Sequence, residues 1–236
     1  MPGSAISGER LRKLPEPVRR HLEAANIVGI QPIRKLRLTQ RGSMRMSEEG
    51  RWLPFAAWQA FSTDPPAFVW KARIRGLPSF LLSVTDEFVN GHGHLAANGM
   101  GSLFKFAEGA GPEFDQGELL RYLAETIWFP TIWASEQIVW RSVDARSAEA
   151  TMRVGGLSVP AIFEFNAQGF AERVRGERYR MDKSGKFTLG LFSGAVADYR
   201  RAADMLVPMK VTASWHLRSG DFTYFRGEVR NIQFRS

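Results

Sequence analysis

Apolar and polar residues alternate with a period of two along several long stretches of the chain. Clear examples are residues 36–46, 68–75 and 211–217. This alternation is typical of strands that place one face against a core and the other face in water. Asn-Gly and similar turn sequences, such as those at 90–93, 98–101 and 166–169, separate the strand candidates. The sequence therefore predicts a mainly β (α+β) fold, an antiparallel meander around an apolar interior.

A first helix is predicted over residues 14–25, before the strands begin. Leu14, Val18, Leu22 and Ala25 fall on one helical face, and prolines stand where a first turn tolerates them. His21 falls on the opposite, polar side of this helix, and we expect its role to be structural. His216 falls on the polar face of its strand and is expected to be structural as well.

A second helix is predicted over residues 115–128, in the middle of the chain. Asp115 is a typical N-cap residue, and Glu118 three positions later completes a capping box. Proline at position 130 ends the segment, because it disfavours helical backbone in the residue before it. The helix is thus expected to be inserted between two groups of strands.

The composition limits the kinds of chemistry that the chain can perform. The 236 residues contain no cysteine, which excludes disulfides, thiolate nucleophiles and cysteine-ligated metals. The net charge of +8 favours an anionic partner, such as an anionic membrane surface. Because the arginines are scattered, nucleic acid is an unfavoured partner. No apolar run reaches the length of a signal peptide or a membrane span, so a soluble, cytoplasmic protein is expected.

Several motifs, in a fixed order, resemble those of a bacterial family that is known only as a domain of unknown function. They are LPEPVRR (14–20), LTQRG (38–42), WLPF (52–55), FVWKAR (68–73), GELLRYLAE (117–125), WFPT (128–131), VW (139–140), DYR (198–200) and YFRG (224–227). The resemblance implies an incomplete antiparallel β-barrel with a helix across its opening, similar to LolA-like periplasmic lipoprotein carriers. We therefore expect one domain, with an N-terminal helical segment at 1–33 and a half-barrel at 34–236 that contains the helix 115–128.

Two histidines, His92 and His94, form the densest candidate for metal or acid–base chemistry. Alternation places both on one face of a strand, about 7 Å apart, and Asp86 and Glu87 lie on the preceding hairpin arm. Such a pair could share a metal ion. The plainer interpretation is that both are surface polar residues near a turn, and no bound metal is predicted.

The second helix carries a cluster of polar side chains at spacings of three and four. Arg121 and Glu125 are neighbours on the helix surface, as are Glu118 and Tyr122. This cluster could face the mouth of the barrel and supply an acid or a base. Alternatively, it is a capping residue beside an ordinary salt bridge. With other polar residues of the strands, the candidate catalytic set is Asp86, His92, Tyr122, Glu125, Tyr199 and Tyr224.

Aromatic residues make up 12% of the chain and include seven tryptophans. A curved sheet lined by aromatics can hold an apolar ligand, although a simple packed core would have the same composition. The candidate ligand-binding residues are Trp52, Phe55, Trp58, Trp70, Trp128, Phe129 and Trp215.

Three functions therefore compete at the level of sequence. The first is binding of an apolar or amphipathic small molecule inside the half-barrel, with basic residues at the mouth favouring an anionic headgroup. The second is a cofactor-independent enzyme of the cyclase, isomerase or hydrolase type that uses acid and base side chains in the same cavity. The third is a peripheral module that binds anionic membranes through its basic surface. No glycine motif for phosphates or dinucleotides is present, so no cofactor is expected.

Overall fold

The computed structural model describes residues 4–76, 81–99, 104–181 and 185–236. Two short helices come first, α1 (Gly8–Leu11) and α2 (Glu16–Ala24), and a third, α3 (Pro112–Glu125), lies mid-chain. Two 3₁₀ turns, Thr126–Trp128 and Pro130–Ala134, follow α3 directly. The strands are β1 (Lys35–Met44), β2 (Leu53–Thr63), β3 (Pro66–Arg75), β4 (Leu81–Val89), β5 (His92–Gly99), β6 (Phe104–Ala110), β7 (Ile138–Asp144), β8 (Ser147–Val154), β9 (Leu157–Phe165), β10 (Ala171–Met181), β11 (Phe187–Ala202), β12 (Met205–Leu217) and β13 (Gly220–Arg235).

All thirteen strands form a single antiparallel sheet that stays open. Its order is β6-β5-β4-β3-β2-β1-β13-β12-β11-β10-β9-β8-β7. The first six strands form one meander and the last seven form another, and the two meanders join where β1 pairs with β13. The predicted mainly β, incomplete barrel is confirmed. Of the predicted turns, the one at 98–101 lies largely outside the described residues.

The open sheet explains why the central helix crosses its concave side. The two ends of the strand order are β6 and β7, and the chain between them consists of α3 and the 3₁₀ turns. α3 contacts β3 to β6 on one arm of the sheet and β8 to β10 on the other arm. The helix therefore closes the half-barrel and leaves a space between itself and the central strands.

The N-terminus of α3 differs from the prediction. The helix begins at Pro112, with Gly111 as its cap at a φ of 117°, so the capping box is wrong. Proline fits the first helical turn because its φ is preset and its missing N–H would be unpaired there. Asp115 instead accepts a hydrogen bond from the Gly93 amide at 2.7 Å. Glu118 is buried and pairs with Arg178.

The first predicted helix is present as α2, but one of its side chains lies elsewhere than expected. His21 is fully buried rather than on a polar face, because α2 packs against the sheet on that side as well. Its Nδ1 accepts the Ala171 amide at 3.1 Å, and its ring lies against that of Trp133. Burial lowers the pKa of His21 to about 3, so it stays neutral. Its contacts agree with the structural role that we expected.

Candidate functional site

A cavity of about 220 Å³ lies between α3 and the central strands of the sheet. Most of its lining is apolar and comes from both arms of the half-barrel. The apolar lining residues are Met44, Trp70, Val84, Leu95, Ala124, Ile127, Trp128, Val174, Phe192, Val196, Val211, Ala213 and Phe225. One wall is polar and carries Gln40, Asp86, Arg121, Glu125, Arg178 and Tyr224. The cavity thus combines an apolar body with a charged wall.

Arg121 is the centre of the polar wall. Its Nη1 lies 2.5 Å from Oδ2 of Asp86, and its Nε donates to Oε1 of Glu125 at 3.1 Å. The guanidinium also lies over the rings of Phe68 and Trp70, at 4.7 and 5.4 Å from their centroids. Two carboxylates and two aromatic faces therefore fix its position, and the side chain is well buried.

A second ion pair joins the helix to the opposite arm of the sheet. Glu118 on α3, which is 2% exposed, accepts a hydrogen bond from Nη2 of Arg178 on β10. Arg178 in turn lies over the Phe192 ring, 5.3 Å from its centroid. Because Asp86 belongs to one arm and Arg178 to the other, the network spans the half-barrel beneath the helix.

Together with Glu118, which is buried against Arg178 and does not line the cavity itself, the wall holds three carboxyl groups against two guanidiniums, so full ionisation would leave one excess negative charge. Burial raises the pKa of Glu118 from 4.5 to about 7, although Arg178 opposes this. Burial also raises the pKa of Asp86 and of Glu125, against the charge of Arg121. A shift in this direction favours uptake of one proton by the network.

The hydrogen bonding identifies where that proton fits. Oδ1 of Asp86 and Oε2 of Glu118 are buried and have no hydrogen-bond partner among the described residues. The charge of Asp86 raises the pKa of Glu118, so the two carboxyl groups lie close enough to affect one another. One proton held by this pair would balance the two guanidinium charges. The pair resembles carboxyl pairs that share a proton in other buried sites.

Two glutamines extend the polar wall toward the central strands. Gln59 donates from Nε2 to Oε2 of Glu125 at 2.7 Å. Gln40 accepts the indole N–H of Trp70 at 3.0 Å and lines the cavity. Tyr224 lines it as well, and burial raises the pKa of its phenol. The wall therefore offers hydrogen-bonding groups of several kinds to a bound molecule.

The structure brings together three of the six candidate catalytic residues. Asp86, Glu125 and Tyr224 all line the cavity. Tyr122 is buried in the core, where its hydroxyl donates to the Ser62 carbonyl at 2.8 Å. Tyr199 donates to the Ala171 carbonyl at 2.7 Å, far from the cavity lining. Burial raises the pKa of both of these phenols, so they are structural donors rather than acids at the cavity.

The two candidate metal ligands have separate partners. His92 is exposed, with 80% of its side chain accessible, and its Nδ1 lies 3.3 Å from Asp115. His94 lies between Glu87 and Glu108, at 3.6 and 3.5 Å. Among the described residues, no three histidine or carboxylate side chains form a group that could hold a metal ion. His92 is not among the residues that line the cavity with Asp86.

Two of the seven candidate ligand-binding aromatics, Trp70 and Trp128, line the cavity. Phe55 packs on Phe225 and Trp70 directly behind the lining. Phe129 is buried beside Phe61, and Trp215 forms a second small core with Phe192 and Phe222.

The remaining two tryptophans of the candidate set do not line the cavity. Trp58 is 45% exposed on the outer face of β2 and is not among the residues that line the cavity. Its strand alternates, and position 58 falls on the outward side, between Ala57 and Gln59, which are buried. Trp52 lies at the end of β2, between the guanidiniums of Arg45 and Arg226.

Sequence reasoning missed Arg178 and the partner role of Glu118. The run at 173–180 contains four arginines, a pattern that is typical of a solvated strand face. Strand alternation could have predicted that Arg178 points inward. Val174 is buried, and Arg178, four residues later, falls on the same face of the strand. The contact between this arginine and the helix depends on the position of α3, which the sequence pattern does not contain.

The outer face of the sheet carries a basic surface around Trp58, formed by Arg41, Lys71 and Arg73. All three cations are exposed, and Nζ of Lys71 lies over the Trp58 ring at 5.8 Å. These residues line a shallow groove across β1 to β4. We call this the outer basic surface.

Fold and cavity define the class of protein: an open antiparallel half-barrel closed by one helix over an apolar cavity with a charged wall. The chain belongs to DUF6544, a family of unknown function, whose model matches residues 4–227. Membership of a domain-of-unknown-function family, inferred from the motifs, is confirmed. No curated protein matches the chain. In the part of the chain that the structure describes, no helix is both long and apolar enough to span a bilayer.

Two solved structures are similar to the chain over most of its length. A LolA superfamily protein from Nitrosomonas europaea is 9% identical with a TM-score of 0.43, over 98% of this chain and 95% of that chain. A DUF1329 family protein from Desulfovibrio piger is 8% identical with a TM-score of 0.47, over 86% of each chain. The architecture described above follows from the strand order of the chain itself.

Proposed function

We propose that the protein binds a small amphipathic molecule in the cavity between α3 and the central strands. The observation that carries this proposal is an apolar cavity of about 220 Å³ with one hydrogen-bonding wall. Ligand sites of small molecules commonly have this composition, a largely apolar lining with a few placed polar groups.

The size of the cavity limits the size of the ligand. A dry apolar cavity of about 150 Å³ accommodates benzene. By that measure, the cavity here has room for a body of about nine non-hydrogen atoms. A medium-length alkyl chain or a substituted aromatic ring fits this volume, with its polar end toward Gln40, Tyr224 or the Arg121 network.

A chain-length series tests this proposal. Thermal stability is measured with linear primary alcohols of six to sixteen carbons, and native mass spectrometry detects the complexes. We expect stabilisation that peaks at about eight to ten carbons, in the lower half of the series, together with a 1:1 complex, because longer chains exceed the cavity. No stabilisation at any length, with a ligand-free mass throughout, would contradict the proposal.

A second candidate function, cofactor-independent acid–base catalysis, is favoured by the convergence of Asp86, Glu125 and Tyr224 at the same cavity. Carboxyl groups with raised pKa values can donate or accept protons near neutral pH. Turnover of decyl esters and epoxides by the wild type and Asp86→Asn tests it. Hydrolysis that is abolished in the variant favours an enzyme, whereas a wild-type rate equal to that of buffer excludes these two reactions.

A further inference from the structure

A row of three arginines and two aromatic rings lies at the strand ends beside the cavity. In order, it consists of Arg226, Trp52, Arg45, Phe222 and Arg180. The guanidinium carbons of Arg226 and Arg45 lie 4.2 and 5.0 Å from the Trp52 ring centroid. Arg45 also lies 5.1 Å from the Phe222 centroid, and Arg180 lies 5.9 Å from it. We call this the arginine row.

No carboxylate of the described residues forms an ion pair with the arginine row. Arg45 donates to two backbone carbonyls, those of Thr223 and Glu48, at 2.8 and 2.6 Å. The Glu48 carboxylate is bound by Ser219 instead, at 3.0 Å. Arg121 and Arg178 in the cavity wall, by contrast, each have acidic partners. Cations that have no acidic partner attract anions.

The row continues into the aromatic part of the cavity lining. Phe222 is 4% exposed, and its ring packs near that of Tyr224 at 6.1 Å. Tyr224 and Phe192 both line the cavity. On β10, Arg180 follows Arg178 by two residues, which places it roughly 7 Å further along the strand. An anionic group at Arg180 would therefore lie next to the space that holds the apolar body.

The charged wall is a poor place for an anionic headgroup, because it already holds three carboxyl groups against two guanidiniums. The arginine row, by contrast, carries three positive charges and no carboxylate partner among the described residues. Guanidinium groups bind carboxylate and phosphate oxygens through paired, charge-assisted hydrogen bonds. Arg45 and Arg180 both lie against the Phe222 ring, so little side-chain freedom is lost on binding.

We infer that Arg45 and Arg180 form a binding site for the anionic head of an amphipathic ligand whose apolar body occupies the cavity. This inference rests on the proposed function and adds a ligand class to it: a short alkyl or aryl chain with one anionic group. Carboxylate and phosphate heads share this chemistry, and the experiment distinguishes them.

The test compares decanoate, monodecyl phosphate and 1-decanol, each titrated below its micelle concentration and followed by calorimetry. We expect both anions to bind the wild type at least about tenfold more tightly than decanol, because charge-assisted hydrogen bonds are added to the same apolar contact. The double variant R45Q/R180Q should lose this preference while it still binds decanol, which shows that the fold is intact. The matched control R141Q removes an exposed arginine of β7 that pairs with Glu149 and should retain the preference.

The relative affinity of the two anions identifies the head, since tighter binding of one of them assigns a carboxylate or a phosphate ligand. Equal affinity of all three probes for the wild type, or a preference that persists in R45Q/R180Q, would overturn the site and leave the proposed function standing. If no chained probe binds, the proposed function fails. Inorganic phosphate then tests the arginine row separately. Stabilisation of the wild type by phosphate that is lost in the double variant supports the site at the arginine row, and no stabilisation overturns it.

Discussion

At the scale of single residues, the unusual feature of this protein is a buried network with more carboxyl groups than guanidiniums. Asp86, Glu118 and Glu125 surround Arg121, and Arg178 neutralises one of them. Ionisable groups are rarely buried without such partners. Burial of this network is therefore costly in free energy. We expect substitutions of its arginines and of its carboxyl groups to have different effects.

We expect Arg121→Gln to destabilise the fold by about 3–5 kcal/mol, because it leaves carboxyl groups buried without a counter-charge. Asp86→Asn should cost clearly less, since it removes the excess negative charge and keeps an oxygen acceptor for Arg121. Urea unfolding of both variants at pH 7 measures the difference. Equal losses would show that the charge balance does not govern the stability of this wall.

The raised pKa of Glu118 predicts how stability depends on pH. An unfolded glutamate titrates near 4.5 and this one titrates at about 7, so the folded state keeps a proton that the unfolded state has released. Stability is then fully present below pH 4.5 and falls as the pH rises through 7. Asp86 and Glu125 contribute in the same direction.

Glu118→Gln should flatten this pH dependence between about 4.5 and 7. Urea unfolding free energies at several pH values measure it, and Glu23→Gln, an exposed glutamate of α2, is the control. An unchanged slope in Glu118→Gln would contradict a carboxyl that takes up its proton on folding.

At the scale of elements, α3 is held against both arms of the sheet at glycine positions. A Cβ at Gly93 on β5 would collide with the Phe114 carbonyl of α3. On the other arm, a Cβ at Gly176 would lie 2.9 Å from Leu120. Both close contacts let the helix lie low over the sheet and close the cavity.

Gly93→Ala should therefore destabilise the protein by about 1–3 kcal/mol, because backbone has to move to accommodate one methyl group. Gly156→Ala is the matched control, since a Cβ there meets no atom within 4 Å. Denaturant unfolding compares the two variants. A loss in Gly93→Ala no greater than that of the control would mean that α3 can shift freely on β5.

The sequence pattern predicts elements well where period and turn chemistry are local. Alternation at 68–75 and 211–217 lies within β3 and β12. The sequence predicts a start of α3 at residue 115, three residues later than the observed start. Asp115 has the chemistry of an N-cap residue, but it accepts a hydrogen bond from the Gly93 amide on β5. That partner is distant in the sequence, so no local rule identifies it. For the same reason, the sequence indicates a capping role for Glu118, and its ion pair with Arg178 on β10 is seen only in the fold.

At the scale of the whole molecule, the fold depends on one long-range pairing. β1, the first strand, pairs with β13, the last strand, and this pairing joins the two meanders into one sheet. Alternation predicts that both segments are strands but not that they are neighbours. The cavity depends on this pairing, because strands of both meanders contribute residues to its lining.

The outer basic surface predicts an interaction with anionic membranes. Exposed cations around a tryptophan suit a negatively charged lipid interface, and the attraction should weaken with salt. We expect sedimentation with phosphatidylserine vesicles at low salt that falls steeply as salt is raised. The variant K71E/R73E should lose this binding, whereas R141E, on a different strand, should retain it. Binding that is independent of salt would contradict this role.

The central claim is that the cavity under α3 holds a ligand, and a cavity-filling variant tests it most directly. Gly194 lines the cavity, and a Cβ there meets its nearest neighbour, the Thr212 carbonyl oxygen, at an ordinary 3.8 Å. Gly194→Leu therefore adds a side chain at a lining position where the Cβ meets no clash, while Gly156→Leu adds the same side chain at the surface. Calorimetric titration of 1-decanol into the three proteins should show one site in the wild type and in Gly156→Leu, and none in Gly194→Leu. Equal decanol affinity in all three proteins would place binding elsewhere and contradict the account.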